Sequence, residues 1–237
     1  MIDASPSTEH KGSRPSSTVD TLESTATIGY GAELVRKSIH LVSLSIPVVY
    51  YFITREQALW ILVPITLAFL IVDLARYGSA PVARWFYSWF GWLLRRHEQN
   101  NRTIRLSGAT NVLLSAVFCV AVFPKVITVN AFAILIISDT TSALIGRRYG
   151  RHRFLAKSLQ GTLAFFISAA VVIIVAPKIE GIAAEYAIGL VAAAVGAVVE
   201  ASHIPVDDNI TIPVSIGAIM WLLYVLFLPS INPFSLG

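Results

Sequence analysis

Apolar residues run in long continuous stretches along most of this chain, and short polar segments separate them. Each stretch is close to the 20 or so apolar residues that an α-helix needs to cross a bilayer. The stretches are continuous instead of alternating, as Ala131 to Ile137 illustrates, so helices are favoured over the strands of a membrane barrel. We predict an all-α, polytopic transmembrane helical bundle of about seven spans, at residues 36–54, 57–75, 107–123, 126–145, 158–176, 183–201 and 210–228.

Composition places the chain among membrane proteins, because 55% of its residues are hydrophobic, 14% are charged and its mean hydropathy is +0.69. Residues 1–28 are polar and contain no hydrophobic run, so they are predicted to form a disordered N-terminal tail without the apolar core of a secretory signal. Residues 29–237 are predicted to form one transmembrane domain. Cys119 is the single cysteine, which excludes an internal disulfide.

The distribution of lysine and arginine predicts the orientation of the bundle, since short loops rich in these residues stay in the cytoplasm. With seven spans, 15 of the 18 basic residues fall on one side, together with the N-terminus. Only Arg55, Lys125 and Lys178 fall on the other. The first side is therefore predicted to be cytoplasmic and the C-terminus to lie opposite. The net charge of +4 follows from topology and indicates no nucleic-acid partner.

A tryptophan-rich segment occupies the longest predicted cytoplasmic connection, from Pro81 to Arg96. Trp85, Trp89 and Trp92 recur with helical spacing, so they share one face of a helix. Indole rings favour the headgroup level of a bilayer, and Arg95 and Arg96 suit anionic headgroups. The segment is predicted to be an amphipathic helix lying in the interface, either as an anchor or as a gate for a lipid.

Three polar clusters fall on the predicted cytoplasmic side of the membrane and are candidate parts of one active site. Asp73, Asp139 and Glu200 are carboxylates at a depth where the bilayer makes charge costly, and two of them, Asp139 and Glu200, belong to these clusters. The clusters are Arg36, Lys37 and His40; residues 139–161; and Glu200 with Asp207, Asp208 and Asn209.

Asp139, Ser142 and Gly146 have the spacing of one helical stripe, so a carboxylate, a hydroxyl and a glycine share a face. Close packing of helices through small residues explains Ser142 and Gly146 but leaves Asp139 unexplained. We therefore predict that Asp139 is functional.

Five basic residues lie between Gly146 and Gly161, and the last of them, Lys157, precedes Ser158 at the start of the fifth span. An ammonium beside the amide groups of a helix N-terminus is a suitable site for phosphate. The segment is not a P-loop, since Ala156 precedes the lysine and no strand is predicted before it. Retention of the loop in the cytoplasm is the simpler explanation for its arginines.

The third cluster places three carboxylates and a carboxamide within ten residues. Mg²⁺ prefers oxygen ligands of this kind, supplemented by the phosphates of a substrate. Asp207 alone also suits the simpler role of capping the seventh span.

In chain order the polar motifs read Glu33-x-x-Arg36-Lys37-x-x-His40, Ser107-Gly108-Ala109-Thr110, Asp139 to Gly146 and Gly150, Lys157-Ser158-x-x-Gly161, Glu200, and Asp207-Asp208-Asn209-x-x-x-Pro213. This series, over residues 33–215, resembles the polyprenol kinase family, which includes dolichol kinase, phytol kinase and CTP-dependent diacylglycerol kinase. The family is similar to phosphatidate cytidylyltransferases.

The resemblance implies a CTP-dependent kinase, with Mg²⁺ as cofactor, that phosphorylates a membrane lipid alcohol: phytol, a polyprenol or diacylglycerol. Lys157, Arg36 and Lys37 would bind the triphosphate, and Glu200 or Asp139 would accept the proton of the alcohol. His40 would orient a phosphate or a carboxylate, or be structural. The implied catalytic residues are Asp139, Glu200 and Lys157. The implied phosphate-binding residues are Arg36, Lys37, His40, Gly146, Gly150, Lys157, Ser158 and Gly161, and the implied metal ligands are Asp139, Asp207, Asp208 and Asn209.

Gln160 departs from this resemblance, because the family usually has glutamate at the corresponding position. A carboxamide neither acts as a base nor carries charge to a metal. Two alternatives to the kinase stay open, and Gln160 bears only on the second. One is nucleotidyl transfer from CTP to phosphatidate with release of pyrophosphate, and the other is an inactive or transport member of the family.

Overall fold

The structure, a computed structural model, describes residues 30–90 and 106–234, most of which are helical. The predicted tail at residues 1–28 lies outside the described residues, as do Trp92, Arg95 and Arg96 of the tryptophan-rich segment. The helices are α1 (Tyr30–Val42), α2 (Ser45–Phe52), α3 (Arg55–Gly78), α4 (Ala80–Phe90), α5 (Gly108–Val122), α6 (Lys125–Tyr149), α7 (Leu159–Val175), α8 (Ala183–Ala201) and α9 (Asp208–Phe227). Two short strands, β1 (Arg153–Phe154) and β2 (Lys157–Ser158), precede α7.

Four helices within the described ranges, α3, α6, α8 and α9, are long and apolar enough to cross a membrane. Helices α5 and α7 are also apolar but shorter. Large apolar side chains face outward on these helices, including Trp60 (80% exposed), Val175 (80%) and Phe227 (69%). Such surfaces suit hydrocarbon and not water. The helical class predicted from the sequence is confirmed.

Helix α6 lies at the centre of the bundle. It packs against α1, α2, α5, α7 and α9, and 72% of its most apolar window is buried. Ile127, Ile134 and Leu135 on this helix are fully buried. Asp139 is among the buried residues of this helix, so its charge has to be paired.

The first predicted span, residues 36–54, is interrupted in the structure, which corrects the prediction of one continuous helix there. Helix α1 ends at Val42, a turn follows at Ser43 and Leu44, and α2 begins at Ser45. The physical reason is Pro47, whose missing N–H cannot bond to the carbonyl of Ser43 and whose ring crowds it. The break separates the amphipathic helix α1 from the apolar α2.

A β-hairpin between α6 and α7 is absent from the all-α prediction. The strands pair antiparallel, with Phe154 opposite Lys157, and Leu155 in the turn has a positive φ of 51°. The amide of Ala156 donates to the carbonyl of Ala201 at 2.9 Å, which attaches the hairpin to the end of α8. Strands of two residues are too short to show a period in the sequence. The hairpin fixes the backbone of Lys157 at one end of the bundle.

Candidate functional site

Charged side chains from five separate elements meet at one end of the bundle. Helix α1 contributes Lys37 and His40, and α6 contributes Asp139 and Ser142. The hairpin, α8 and α9 each add one side chain through contacts described below. We call this set the polar cluster: Lys37, His40, Asp139, Ser142, Lys157, Glu200 and Asp208. The structure thus brings together residues from all three of the polar segments singled out in the sequence.

The first half of the polar cluster is an ion pair between α1 and α6. Lys37 is only 3% exposed, and its Nζ contacts the carboxylate of Asp139 and also donates to the Asp139 carbonyl at 3.3 Å. His40 lies one turn further along α1, with Nε2 at 3.8 Å from Oδ2 of Asp139. That nitrogen is buried and has no hydrogen-bond partner among the described residues. It is therefore a group with unused hydrogen-bonding capacity facing Asp139.

The second half of the polar cluster is centred on Lys157. Its Nζ donates to Oε1 of Glu200 at 2.7 Å and to Oδ2 of Asp208 at 2.9 Å. Burial lowers the pKa of Lys157, but the carboxylates of Asp208 and Glu200 outweigh that effect, so the pKa lies above its ordinary value. The ammonium is therefore charged at neutral pH. It is also 34% exposed, so a ligand from the aqueous side can reach it.

Ser142 and the carboxylates connect the two halves. The hydroxyl of Ser142 donates to Oε1 of Glu200 at 2.8 Å, and Asp139 interacts electrostatically with Lys157 and Asp208. Glu200 is 1% exposed, and its Oε2 is a buried acceptor that no described residue satisfies. A buried carboxylate oxygen without a donor is costly unless a ligand or water supplies one. The cluster therefore has free acceptor capacity next to its lysines.

The predicted metal ligands are only partly brought together. Asp207 caps α9, and its Oδ1 accepts from the backbone and side-chain nitrogens of Asn209 at 2.9 and 2.6 Å. Residues 30–90 and 106–234 contain no group of three or more His, Cys, Asp or Glu side chains arranged to hold a metal. Mg²⁺ needs only one or two carboxylates when phosphates and waters complete its shell. The half-exposed Asp208 beside Asp207 fits that mode, and the full predicted metal set stays a prediction.

Gly146, Gly150, Gly161 and Ser158, which are predicted to bind phosphate, pack against one another where α6 meets α7. A Cβ on Gly146 would lie 3.0 Å from Oγ of Ser158 and 3.4 Å from Cα of Gly161, so α6 and α7 touch through backbone here. A Cβ on Gly150 would meet the Gly146 carbonyl at 2.2 Å. Ser158 Oγ accepts from the amide of Gly161 at 3.2 Å and caps α7. These residues hold the hairpin against α6 and so position Lys157.

Arg36 and Gln160 lie beside the polar cluster. Arg36 is half-buried on α1 and interacts electrostatically with His40. Oε1 of Gln160 accepts from the amides of Arg151 and His152 at 3.0 and 3.3 Å. The amide side chain thus supports the hairpin backbone through its oxygen, a contact that a glutamate oxygen could make equally well.

Asp73 supports the start of α5, where a Cβ on Gly108 would lie 3.7 Å from Nδ2 of Asn209. Its Oδ2 accepts from the amide of Ser107 at 2.7 Å and from the hydroxyl of Thr110, and Arg76 Nε lies 3.5 Å from Oδ1. A carboxylate at a helix N-terminus satisfies amides that have no partner within the helix. Asp73 and the Ser107-Gly108-Ala109-Thr110 motif are therefore joined in one structural contact.

Glu185, which the sequence prediction does not include, organises the opposite end of the bundle. It is fully buried, and its Oε1 accepts from the hydroxyl of Tyr224 at 2.7 Å. Its two oxygens also accept from four successive backbone amides, those of Ile179, Glu180, Gly181 and Ile182. The capping-box position of Glu185 in the first turn of α8 is the one local signal that could have indicated it.

The apolar helices and the charged cluster at one end of the bundle define a helical membrane protein with a buried polar site. Uncharacterized protein RP860 of Rickettsia prowazekii (strain Madrid E) is 30% identical over 185 residues, which cover 77% of this chain and 90% of the relative. The chain belongs to the same family as that protein. No protein-family model matches the chain, and no solved structure matches it.

Proposed function

We propose that the protein is a lipid-alcohol kinase that transfers the γ-phosphoryl group of CTP to the hydroxyl of a membrane lipid. The observation that carries the proposal is the polar cluster, in which two lysines and three carboxylates meet at one end of an apolar bundle. Phosphoryl transfer asks a protein mainly for positioning and for offsetting charge, and this set of groups is suited to both. The resemblance of the motifs to the polyprenol kinase family supports the same activity and supplies the choice of CTP.

The lysines of the cluster are proposed to exchange partners when a nucleotide binds. In the structure each ammonium is neutralised by carboxylates, Lys37 by Asp139 and Lys157 by Glu200 and Asp208. A triphosphate carries more charge than one carboxylate and would attract both lysines and Arg36. The carboxylates released by this exchange then become available for a cation and a proton. The ion pairs thus compensate the charge of each ammonium while no substrate is bound.

Asp207 and Asp208 are the residues that would hold Mg²⁺, which when bound offsets charge on the phosphate oxygens. Asp139 is proposed to accept the proton of the lipid hydroxyl, with His40 orienting its carboxylate. The hydroxyl oxygen forms a bond to the γ-phosphorus as the bond between that phosphorus and the oxygen of the leaving nucleoside diphosphate breaks. The products are a lipid phosphate and CDP. Glu200 holds Lys157 through Oε1 and offers Oε2 to a donor on a substrate.

We also propose that the chain crosses the membrane seven times with the polar cluster on the cytoplasmic side. All seven predicted apolar segments contain helices, and the polar cluster, the N-terminus and the hairpin would face the cytoplasm. Helix α4 would lie in the interface, because Trp85 and Trp89 are 52% and 66% exposed on it. The nucleotide would then enter from water and the lipid from the side.

Thin-layer analysis of the purified protein in detergent with Mg²⁺ and CTP labelled at the γ-phosphate tests the activity. Acceptors are a series of prenols, diacylglycerol and phosphatidate, with ATP as the comparison donor. Label in a lipid supports the kinase and identifies its acceptor. Label only in pyrophosphate, with phosphatidate consumed, replaces the kinase with nucleotidyl transfer. Absence of turnover with every acceptor contradicts both and favours an inactive or transport member.

Lys157→Gln and Lys125→Gln form a matched pair for this assay. Lys157 belongs to the polar cluster, whereas Lys125 begins α6 at the opposite end and lies over the ring of Tyr50. Loss of the Lys157 ammonium should lower turnover at least about a hundredfold, as expected for one charged group that offsets developing charge. Lys125→Gln should leave turnover unchanged. Equal activity of the two variants would remove Lys157 from the site.

A further inference from the structure

Two basic residues lie at the end of the bundle opposite the polar cluster, each at the first position of a long apolar helix. Arg55 begins α3 and Lys125 begins α6, and both helices are long enough to cross a membrane. Positive charge is disfavoured at these positions, because the amide groups of a helix N-terminus already carry partial positive charge. Both residues are also exceptions to the predicted gathering of basic residues on the other side of the bilayer. Their positions therefore need a separate explanation.

Lys178, the third basic residue predicted on this side, has a structural role. Its ammonium donates to the carbonyls of Ile173 and Ala176 at the end of α7, where positive charge is favourable. Lys125 has no such contact. Its Nζ lies 5.8 Å from the centre of the Tyr50 ring and forms no hydrogen bond or ion pair with a residue of the described ranges. The capping of carbonyls thus explains Lys178 but not Lys125.

Tyr50, Arg55 and Lys125 meet where the turn between α2 and α3 contacts the turn between α5 and α6. Nη2 of Arg55 donates to the carbonyl of Phe123 at 2.8 Å, and Arg55 interacts electrostatically with Tyr50. Tyr50 is 2% exposed, and no described residue is positioned to form a hydrogen bond with its hydroxyl. A buried hydroxyl without a partner is costly. An anionic oxygen between the two cations would supply the missing acceptor.

Carboxylates do not neutralise these cations within the part of the chain that the structure describes. Glu56 follows Arg55 but is exposed and forms no ion pair with either basic residue. Helix α6 also has no side-chain cap, because Pro124 occupies its N-cap position. An ammonium, a guanidinium and a phenol beside an uncapped helix N-terminus are donors suited to phosphate oxygens. We call Tyr50, Arg55 and Lys125 the basic site.

The surroundings of the basic site favour a lipid over a soluble phosphate. The first residues of two membrane-spanning helices lie at the level of the bilayer surface, where the phosphates of lipid headgroups are found. Phe52, at the end of α2, is 78% exposed, and Trp60, in the second turn of α3, is 80% exposed. These side chains present apolar surface to acyl chains next to the cations. A phospholipid can contact both kinds of surface at once.

We infer that the basic site binds the phosphate of an anionic phospholipid in the leaflet opposite the polar cluster. Two cations facing one phosphate favour a headgroup without positive charge, such as that of phosphatidylglycerol, over phosphatidylcholine. The basic site is separate from the proposed reaction, because Lys125 lies 14 positions before Asp139 on α6, roughly 21 Å at about 1.5 Å per residue. The inference therefore does not depend on the kinase function.

Native mass spectrometry of the purified protein in detergent tests the inference without requiring turnover. The protein is titrated with phosphatidylglycerol and, in parallel, with phosphatidylcholine that carries the same acyl chains. Phosphatidylglycerol should bind at least about tenfold more tightly. Arg55→Gln and Lys125→Gln should each weaken its binding about tenfold, as expected for the loss of one charged hydrogen-bond donor. Lys178→Gln removes the same charge on the same side and should leave the binding unchanged.

Tyr50→Phe keeps the ring under Lys125 and removes only the hydroxyl. It should weaken the binding of phosphatidylglycerol about threefold without lowering the temperature of unfolding, because the lost hydroxyl has no partner within the protein. Equal binding of the two phospholipids, or binding that none of the three site variants weakens, would overturn the inference. Inorganic phosphate is the second probe. If it displaced phosphatidylglycerol and raised the unfolding temperature of the unmodified protein but not of Arg55→Gln, free phosphate would replace the lipid as the ligand.

Discussion

At the scale of single residues, the pairing of Lys37 with Asp139 determines how the site has to be tested. Both side chains are almost fully buried, so neither charge has water to stabilise it. Removing one member of such a pair leaves the other charge uncompensated, which is usually worse than removing both. A loss of activity on substituting Asp139 alone therefore has two causes, loss of chemistry and loss of stability.

Asp139→Asn is expected to lower the free energy of unfolding by about 3–5 kcal/mol, because it leaves the Lys37 ammonium buried without a counter-charge. The double variant Lys37→Met with Asp139→Asn should recover most of that loss. Neither variant should turn over substrate if Asp139 accepts the proton. Thermal unfolding in detergent measures the first effect and the γ-label assay the second. Asp139 would be excluded as the base if the refolded double variant were active.

Gln160→Glu is expected to keep the fold, since a carboxylate oxygen can accept from the amides of Arg151 and His152 as the amide oxygen does. A negative charge in the first turn of α7 should add about 0.3–1 kcal/mol of stability. Activity should rise or stay unchanged. Gln160→Ala removes the acceptor and is the comparison that should loosen the hairpin. An inactive but stable Gln160→Glu protein would show that the site depends on the amide.

At the scale of elements, the hairpin between α6 and α7 has to be rigid because it carries Lys157. Its strands are only two residues each, so most of its order comes from contacts outside it. The Ala156 amide is bonded to the end of α8, and Gln160 accepts from the backbone of Arg151, just before the hairpin. The backbones of Gly146 and Gly161 are in close contact and bring α7 against α6. The two glycines thus help to position Lys157, because they allow α6 and α7 to pack closely.

Leu155→Asn should stabilise the hairpin, because Leu155 has a φ of 51°, a region that asparagine tolerates better than leucine. The gain is expected to be at most about 1 kcal/mol, seen as a small rise in the temperature of unfolding. Leu159→Asn is the control, since Leu159 is also exposed but lies in the ordinary geometry of α7. A drop in stability for Leu155→Asn would mean that the exposed leucine makes a more important contact, for example with lipid.

At the scale of the whole molecule, the bundle separates two polar ends by an apolar middle. The polar cluster lies at one end, and Glu185 with the loop before α8 lies at the other. The two ends differ in character, because Glu185 is satisfied by backbone amides and Tyr224 whereas Glu200 retains an unsatisfied oxygen. That difference supports placing chemistry at the first end and structure at the second.

Membrane orientation is tested by cysteine labelling in a Cys119→Ala background. The exposed residues Arg151 and Glu180 lie at the two ends of α7 and are suitable positions for single cysteines. In right-side-out vesicles an impermeant maleimide should label Glu180→Cys, and Arg151→Cys only after permeabilisation, because the basic loop is predicted to be cytoplasmic. The opposite pattern would place the polar cluster outside the cell and remove access to cytoplasmic CTP.

The helical membrane class and the approximate positions of the helices follow from the sequence alone. Long apolar runs have few alternatives in a bilayer, since every backbone amide has to be bonded within the segment. The sequence also marked Asp139 and Glu200, because charge at such a depth in the bilayer is costly and therefore informative. It marked Lys157 because this residue directly precedes the N-terminus of a helix. The sequence did not show which charged residues pair with each other. Lys37 and Asp139 are 102 positions apart, and no local pattern indicates that they meet.

Only the tertiary structure distinguished the roles of similar residues. Asp73 and Asp139 are both carboxylates within apolar segments, yet one caps α5 and the other faces Lys37 and His40. The hairpin was also decided by packing, because the amide of Ala156 is bonded to the carbonyl of Ala201 at the end of α8. Long continuous apolar runs specify which segments enter the membrane, whereas the pairing of buried charges depends on the three-dimensional arrangement that brings distant residues together.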